Sequence, residues 1–322
     1  MDRMCVSASE SVGEKKPKRT LPPRINLKMK TREAVTGYLF VGVNLTGTLI
    51  FVVLPLIMTV VLSFTEWDFN KGISGLTFVG FEHYQRMMSD PKIKTSLINN
   101  LFFSFVQIPV TAVLALLIAV LLNKIAFCKK VLRAVYFVPF ITSWVSVSIV
   151  FKALFNPEGG PINNFLSMLG FTNLPGWFMD IHWSMTSIII LTVWHTVGYY
   201  MVILLAGLQN INSELYEAAA IDGASPRQQF FKITLPLLSP SLFFILIMSM
   251  INSLKVFDQV AVATQGGPGT SSYVLVYAIY DYAFNRFEMG YASAIAWVLF
   301  VIILIFTIAQ WKLQKKWVNY DV

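Results

Sequence analysis

The sequence predicts an all-α membrane protein that crosses the bilayer six times, with both termini in the cytoplasm. Hydrophobic residues make up 56% of the 322 residues and charged residues 13%, well below the roughly 25% charged that is usual in soluble domains. Apolar runs of about 20 residues recur along the chain, and a run of that length crosses a bilayer as a helix. Lysine and arginine are unevenly distributed between these runs, which indicates their orientation.

Six apolar runs are long enough to be transmembrane helices, and polar or glycine- and proline-containing connections separate them. The predicted spans are Tyr38–Phe64, Leu97–Leu122, Val131–Leu154, Ser184–Leu208, Leu237–Val262 and Tyr291–Trp311. A further apolar run, Tyr273–Phe284, is too short to cross a bilayer. We expect it to form an interfacial or re-entrant helix.

Positive charges place the termini and the even-numbered connections in the cytoplasm. The connection between the second and third spans carries Lys124, Lys129 and Lys130, with Arg133 at the start of the third span, and no acid; three lysines follow the last span. The first connection balances four basic residues with four acids. The fourth connection also lacks a basic excess, although counting the spans places it inside. We expect docking to a partner, rather than topology, to determine its composition.

Residues 1–36 form a basic tail, and residues 37–322 form the predicted transmembrane domain. The tail holds nine of the 25 lysine and arginine residues, together with several prolines. Such a tail before a first span is typical of a disordered cytoplasmic topology determinant, which we favour over a nucleic-acid-binding arm. We find no cleavable signal peptide. Cys5 and Cys128 fall on the predicted cytoplasmic side, so no disulfide is expected.

The polar loop at about residues 212–236 carries the signals of a short first helix. Asn212 or Ser213 is suited to cap its beginning. Its interior contains Ala218–Ala220, whose small side chains allow another surface to approach the backbone closely. Gly223 stands where a glycine commonly ends a helix.

A second short helix follows in the same loop. Ser225 and Gln228 have the spacing of a capping box, and Pro226 occupies the first helical position. Pro236 is expected to end or kink this helix before the next apolar run. A loop that only connected two spans would not need two capped helices.

The order Glu-Ala-Ala, three residues, Gly, nine residues, Ile-x-Leu-Pro resembles the EAA loop of permease subunits in type I ABC importers. Here it reads Glu217-Ala218-Ala219, Gly223 and Ile233-Thr234-Leu235-Pro236, without departure. The resemblance implies the type I importer permease fold and a coupling helix that inserts into a cleft of a cytoplasmic ATPase. A surface helix with an alanine-rich face is the alternative. The candidate coupling residues are Glu217, Ala218, Ala219, Asp222, Gly223 and Arg227.

Two further segments resemble the carbohydrate-uptake branch of these permeases: 256–268, which ends in Gly266-Gly267-Pro268, and Gly290–Ala294. This resemblance implies a carbohydrate substrate and a multi-pass position in the cytoplasmic membrane of a bacterium or archaeon. It also implies a second related permease, two ATPase subunits and an external solute-binding protein. Gly266, Gly267 and Pro268 are the candidate contacts with that binding protein.

The chain is not expected to be an enzyme. The sequence contains no Gly-x4-Gly-Lys-Ser/Thr motif, so ATP and magnesium are expected in partner subunits rather than as cofactors here. The three histidines, His83, His182 and His195, are not spaced as metal ligands, and no Cys-x2-Cys pair is present.

Polar residues inside a span are costly in lipid and usually face a cavity or another helix. On the predicted fifth span Asn252, Lys255 and Gln259 share one helical face, and Asp258 is within reach of Lys255. We interpret these four residues as candidates for the translocation path. A structural ion pair between Lys255 and Asp258 is the alternative.

The predicted fourth span offers a second set of substrate-path candidates. Trp194, His195 and Tyr199 are close in sequence and could present an aromatic platform to a sugar ring. The alternative for His195 is a hydrogen bond to a neighbouring helix.

Other functions are left open by the sequence. An importer for another solute, such as an amino acid, a peptide or glycerol phosphate, would have the same EAA loop. A secondary transporter often has an inverted repeat, which we do not find, and the EAA loop would be unexplained. A membrane-anchored assembly or receptor protein would need no polar cavity.

Overall fold

The computed structural model describes residues 27–67, 72, 75–124, 129–315 and 318. Residues 1–26 of the predicted tail, which include Cys5, lie outside the described residues, as does Cys128. The chain divides into two compact units, one ending at Leu56 and the other comprising Ile57–Val322. The boundary falls within the helix Leu54–Ser63.

The first unit is built from an apolar helix. Helix α1, Leu27–Thr48, is followed by a π-helical turn, Leu49–Val53, and by α2, Leu54–Ser63, of which Ile57–Ser63 belongs to the second unit. Residues 27–36 are therefore helical, although the sequence assigns them to the tail. The most apolar stretch of this helix contains no buried side chain, and Phe51 is 79% exposed. An apolar helix exposed in this way is suited to lipid rather than to water.

In the second unit the described residues form an antiparallel ribbon and the remaining helices. Thr65 pairs with Phe78 at the end of the ribbon. The elements are β1 (Thr65–Trp67), β2 (Leu76–Phe78), α3 (Glu82–Ser89), α4 (Pro91–Lys124), α5 (Lys129–Ile141), α6 (Trp144–Leu154), α7 (Pro161–Met168), α8 (Ser184–Gln209), α9 (Ser213–Ile221), α10 (Pro226–Gln229), α11 (Leu235–Leu237), α12 (Ser239–Leu254), α13 (Asp258–Ala263), α14 (Leu275–Tyr280) and α15 (Met289–Gln314). A 3₁₀ turn spans Trp177–Met179, and π-helical turns span Phe230–Thr234 and Asp281–Asn285.

Small residues allow the helices of the second unit to approach closely. On α4, the buried residues Thr111, Ala115 and Ala119 recur every four positions and form one face. Helix α8 comes still closer to α5 at Gly198. A β-carbon at Gly198 would lie 1.7 Å from the carbonyl oxygen of Tyr136, so the backbones touch where no larger residue fits.

Two helix pairs are sharply bent, one within the predicted third span and the other at the start of the predicted fifth span. Helices α5 and α6 meet at 99°, and the helical segment Pro226–Leu237 meets α12 at 63°. Pro139 lies in the last turn of α5 and Ser143 has extended backbone angles, so the first of these helices cannot continue straight. The described residues therefore contain four helices long and apolar enough to cross a membrane, or up to six if each bent pair is one span.

The predicted fifth span, Leu237–Val262, is interrupted near its end. Helix α12 stops at Leu254 and α13 begins only at Asp258. The short run 273–284 also differs from a surface-lying helix, because Leu275 and Ala278 of α14 are buried within the bundle.

Asn100 connects the segments on either side of this interruption. It is fully buried, and its Nδ2 lies 3.3 Å from the carbonyl oxygens of both Ser253 and Leu254, at the end of α12. Its Oδ1 accepts from the N–H of Leu275 at 2.7 Å. One side chain thus pairs with backbone groups that the ends of two helices leave without intrahelical partners.

Asp90 ties the beginning of α4 to the beginning of α15. The hydroxyls of Tyr282 and Tyr291 donate to its Oδ2 at 2.5 and 3.1 Å. The Arg86 guanidinium lies 4.2 Å from the centre of the Tyr291 ring and pairs with Glu288. Burial raises the pKa of the Asp90 carboxyl, but the hydrogen bonds that it accepts outweigh burial and hold the pKa below its ordinary value.

Replacing Asp90 with alanine should destabilise the fold by about 1–3 kcal/mol, because two tyrosine hydroxyls lose their charged acceptor. Thermal unfolding of the purified protein in detergent measures this. Because the folded pKa is lowered, the stabilisation is present above the unfolded pKa. It should be lost as the pH falls below about 4 towards the folded value. Replacing the exposed Glu158 with glutamine is the control, and an equal effect of both changes would contradict the prediction.

Candidate coupling loop and translocation cavity

The first helix of the polar loop has a defined end at each side. The Asn212 side chain accepts from the N–H of Glu214 at 3.0 Å, so Asn212 is the N-cap that the sequence left open between two residues. At the other end the N–H of Gly223 donates to Ala220, and the N–H of Ala224 donates to Ala219. Gly223 has φ +79°. These paired bonds form a Schellman motif, in which glycine is favoured because of the positive φ.

The second helix begins with the predicted capping box. The N–H of Ser225 donates to Gln228 Oε1 at 2.7 Å, and the N–H of Gln228 lies 3.4 Å from Ser225 Oγ. Pro226 occupies the first helical turn. The hydroxyls of Tyr216 and Thr234 are 2.9 Å apart, so a side-chain hydrogen bond joins the two helices. The chain next bends at Leu238, two residues beyond Pro236.

The surface of this double-helix loop has no covering within the described chain. No residue of α9 or α10 is buried. Apolar side chains stand among the polar ones: Ile221 is 86% exposed and Phe231 55% exposed. Of the candidate coupling residues, Glu217, Ala218, Asp222, Gly223 and Arg227 are exposed, whereas Ala219 is half-buried. A rigid loop with exposed apolar groups is suited to dock against another protein.

A polar cavity of about 330 Å³ lies in the second unit, where α4, α8, α12 and the α5–α6 bend meet. Its lining combines aromatic rings with hydroxyl, amide and charged groups. The lining residues are Phe103, Gln107, Phe140, Trp144, Thr192, Thr196, Tyr200, Ser249, Asn252, Ser253, Lys255, Val256, Phe257, Asp258 and Gln259. All four candidates from the predicted fifth span are therefore brought together in one cavity.

Lys255 and Asp258 do not form the ion pair that a continuous helix predicts. The helix ends before Lys255 and a new one begins at Asp258, so the i to i+3 geometry is lost. Both residues are exposed, and neither is in an ion pair with another described residue. Gln259 is buried, and its Nε2 lies 3.3 Å from Thr192 Oγ1.

The aromatic candidates of the fourth span lie outside the cavity lining. His195 Nε2 is 3.1 Å from the carbonyl oxygen of Thr142, at the α5–α6 bend, and the His195 ring stacks on Trp144 at 3.7 Å. Tyr199 stacks on Phe140 at 4.2 Å. His195 therefore supports the Trp144 ring, and Tyr199 supports the Phe140 ring; both of these rings line the cavity. Trp194 is 46% exposed and packs against Phe151 instead.

The loop that holds Gly266, Gly267 and Pro268 is folded inward at its first glycine. Gly266 is buried with φ +79°, and a β-carbon there would meet the rings of Tyr273 and Tyr277 at 2.8 Å. Gly267 and Pro268 are half-buried. The exposed positions of this turn are the neighbouring residues 265 and 269. Gly266 is thus unsuited to touch a partner directly.

Several residues important to this arrangement carried no clear signal in the sequence. In the sequence Phe140 and Trp144 are ordinary apolar residues, and only the bend between α5 and α6 brings both to the cavity. Ser249 lies one helical turn before Asn252 and could have been found by extending the polar face of that span. Asn100 is one of several polar residues in the predicted second span, next to Asn99 and before Ser104. Its polarity predicts a polar partner but does not say which segment supplies it.

Comparison with known proteins identifies the class of protein that this loop and cavity define, a membrane permease. Residues 112–318 match the family described as the inner membrane component of binding-protein-dependent transport systems, and the chain belongs to this family. The resemblance drawn from the EAA loop is confirmed. The chain is therefore a multi-pass membrane protein whose family acts in transport rather than catalysis.

Curated relatives match the chain over nearly its whole length. It is 36% identical over 288 residues to the trehalose/maltose transport system permease protein MalF of Thermococcus litoralis. The alignment covers 89% of this chain and 96% of the relative. It is 34% identical over 288 residues to the lactose transport system permease protein LacF of Rhizobium radiobacter, covering 88% and 95%.

A solved structure has the same fold. A chain of a bacterial ABC transporter involved in the import of the acidic polysaccharide alginate superposes with a TM-score of 0.79 at 22% identity, covering 90% of this chain and 98% of that one. This likeness establishes the type I ABC importer permease fold. The same kind of transporter has been solved in complex with an alginate pentasaccharide-bound periplasmic protein, with a TM-score of 0.78.

Changing His195 should separate its hydrogen bond from its ring stacking. His195→Phe keeps a ring against Trp144 but leaves the Thr142 carbonyl unpaired, at a cost of about 1–3 kcal/mol. His195→Ala removes the ring as well and should cost more, about 3–5 kcal/mol in total. The exposed His182, changed to alanine, is the control. Thermal unfolding in detergent should rank the variants in this order, and equal stability of all three would contradict the assigned role.

Proposed function

We propose that this chain is one half of the translocation path of a type I ABC importer for a sugar or oligosaccharide. The observation that carries the proposal is the doubly capped, exposed loop at 212–236, on a chain with no nucleotide-binding motif of its own. Such a loop is needed when another subunit hydrolyses ATP and the movement of that subunit must be transmitted to the membrane helices. The coupling residues are then Glu217, Ala218, Ala219, Asp222, Gly223 and Arg227.

The proposed topology counts the α5–α6 pair as one span and the region from Leu237 through α12 as another, which gives six spans with both termini in the cytoplasm; the helix before the 63° bend belongs to the cytoplasmic loop. The basic connections support this orientation. It places the coupling loop on the side where ATP is available. The tail before residue 27 and the segment after α15 would both face the cytoplasm.

The proposed assembly contains a second related permease, two ATPase subunits that bind ATP and magnesium, and an extracytoplasmic solute-binding protein. Closure of the ATPase dimer would move the two docked helices as one body, because a Schellman turn, a capping box and the Tyr216–Thr234 hydrogen bond connect them. The Pro226–Leu237 segment continues into α12 through the 63° bend. A displacement of the loop would therefore reach the cavity, where α12 ends.

A carbohydrate is the substrate class that the observations favour. Curated relatives are named for trehalose/maltose, lactose and multiple sugars. The cavity combines the rings of Phe140 and Trp144 with hydrogen-bonding groups, as a sugar with apolar faces and hydroxyl edges requires. Asn252 and Lys255 would donate to sugar oxygens, and Asp258 would accept from hydroxyls.

Co-purification tests the assembly. The tagged chain, extracted in mild detergent, should bring down an ATP-binding subunit, and this subunit should be lost when Glu217 and Gly223 are both changed. Uptake of labelled disaccharides should cease when that ATPase is inactivated. A chain that purifies alone and still moves solute into liposomes would instead be a secondary transporter.

Gly223→Val should uncouple the importer without unfolding it. Valine at φ +79° is strained by about 1–3 kcal/mol, which disturbs the end of α9. No atom lies within 4 Å of the added β-carbon, so the rest of the fold is not directly affected. We expect normal membrane levels, together with loss of uptake and of ATPase binding.

Gly170→Val is the matched control for this change, because Gly170 has φ +89°, is exposed and also has no neighbour within 4 Å. It should bind the ATPase normally. Normal transport by Gly223→Val at wild-type membrane levels would refute the coupling role.

Asn252→Ala should lower sugar uptake up to about tenfold through the loss of one or two hydrogen bonds, while ATPase binding stays normal. Trp194→Ala is the control on the neighbouring helix, since Trp194 does not line the cavity. Uptake by membrane vesicles at saturating and limiting sugar measures the effect. A greater loss from Trp194→Ala than from Asn252→Ala would place the path elsewhere.

A further inference from the structure

Two apolar grooves lie on either side of Tyr84 in the second unit. The lysine-side groove has a volume of about 420 Å³, and Met88, Lys94 and Leu97 are among its lining residues. The tryptophan-side groove has a volume of about 340 Å³ and includes Trp297 in its lining. Tyr84, Val298 and Ile302 line both grooves. The two grooves therefore meet around Tyr84 of α3, against Val298 and Ile302 on α15, and together are called the fork.

The interior of the fork offers nothing to a polar ligand. Ser63 and Tyr84 contribute hydroxyls, but the Tyr84 hydroxyl donates to Ser63 Oγ at 3.0 Å and Ser63 donates to the Val60 carbonyl at 2.7 Å. The remaining lining consists of aliphatic and aromatic side chains and of Lys94. A ligand that fills this space must be hydrocarbon-like.

Lys94 is the charged residue in the lining of the fork, and it is exposed on the first turn of α4. Its ammonium group is in no ion pair or side-chain hydrogen bond with the residues that the structure describes. The nearby cations are engaged differently: Arg86 pairs with Glu288, and the Lys92 ammonium lies 5.8 Å from the centre of the Tyr273 ring. The unpaired Lys94 ammonium next to two apolar grooves favours a ligand that has an anionic group and a hydrocarbon part.

The depth of the fork matches one leaflet of a bilayer. The Asp90 cluster at the beginnings of α4 and α15 is ionic and marks the region near the membrane surface. Ile302 lies 13 residues beyond Met289, the first residue of α15, which corresponds to about 20 Å along a helix. The hydrocarbon of one leaflet is about 15 Å thick, half of the bilayer core. The grooves thus extend from the level of the headgroups to about the middle of the bilayer.

We propose that the fork binds one phospholipid with an anionic headgroup. Its phosphate or acidic headgroup contacts Lys94, and its two acyl chains occupy the grooves on either side of Tyr84. The site requires only that the chain spans a membrane, so the proposal does not depend on which solute is transported.

Brominated phospholipids test the site, because bromine quenches a tryptophan that it touches and Trp297 lines one groove. The assembled importer is placed in nanodiscs of phosphatidylcholine with increasing fractions of phosphatidylglycerol brominated on its acyl chains. The signal of Trp297 is obtained by subtracting the signal of the Trp297→Phe variant. We expect saturable quenching at low fractions of the anionic lipid, and weaker quenching by brominated phosphatidylcholine at the same fraction.

Matched variants distinguish a site from ordinary surrounding lipid. Lys94→Gln should require about fivefold more phosphatidylglycerol for half-maximal quenching, whereas Lys92→Gln should behave like the wild type. Val298→Phe, which fills both grooves, should reduce the quenching. Ile305→Phe, on the same helix but outside the grooves, should not.

Two results would overturn the proposal. Quenching that rises in proportion to the brominated fraction, equally for both headgroups and for Lys94→Gln, would mean surrounding lipid only. Absence of quenching would mean that the fork is filled by protein, for example by a helix of the second permease.

Discussion

The structure depends on one constraint: each peptide group that a broken helix releases inside the membrane must find a partner within the protein, since no water is available there. The α5–α6 bend exposes the carbonyl of Thr142, and His195 contacts it. The end of α12 exposes the carbonyls of Ser253 and Leu254, and Asn100 contacts them. Both breaks border the cavity. Polar side chains that pair with released backbone groups are therefore what allows the helices to stop and turn around this cavity.

This constraint explains which sequence-based interpretations held. A polar residue in an apolar span predicts that something polar faces it, and this was right for His195, whose hydrogen bond to a neighbouring helix was the stated alternative. Polarity does not tell whether the partner is substrate or backbone. The helix breaks decide that question, and they depend on tertiary packing more than on local signals. Lys255 and Asp258 illustrate this: their spacing is favourable for an ion pair only if the helix is continuous.

The candidate coupling loop was the most predictable part of the chain, for a physical reason. Its caps are local, since Ser225 and Gln228 contact each other and Gly223 ends α9 through bonds to residues within five positions. Such features can be read directly from a short segment. The Asp90 cluster joins residues about 200 positions apart, so nothing in a single sequence indicates it. The apolar runs predicted the candidate spans, and Pro236 predicted a kink close to the observed 63° bend, but the 99° bend between α5 and α6 was not predicted.

The close approach at Gly198 has a mechanical consequence. Because the α8 backbone already touches the Tyr136 carbonyl, α5 cannot slide towards α8, and separating them would leave a gap at the centre of the pair. Rotation about the point of contact disturbs the packing least. Gly198 would thus act as a pivot. Phe140 lies four residues beyond Tyr136 on α5, so a tilt of α5 about that point would shift the Phe140 ring at the wall of the cavity.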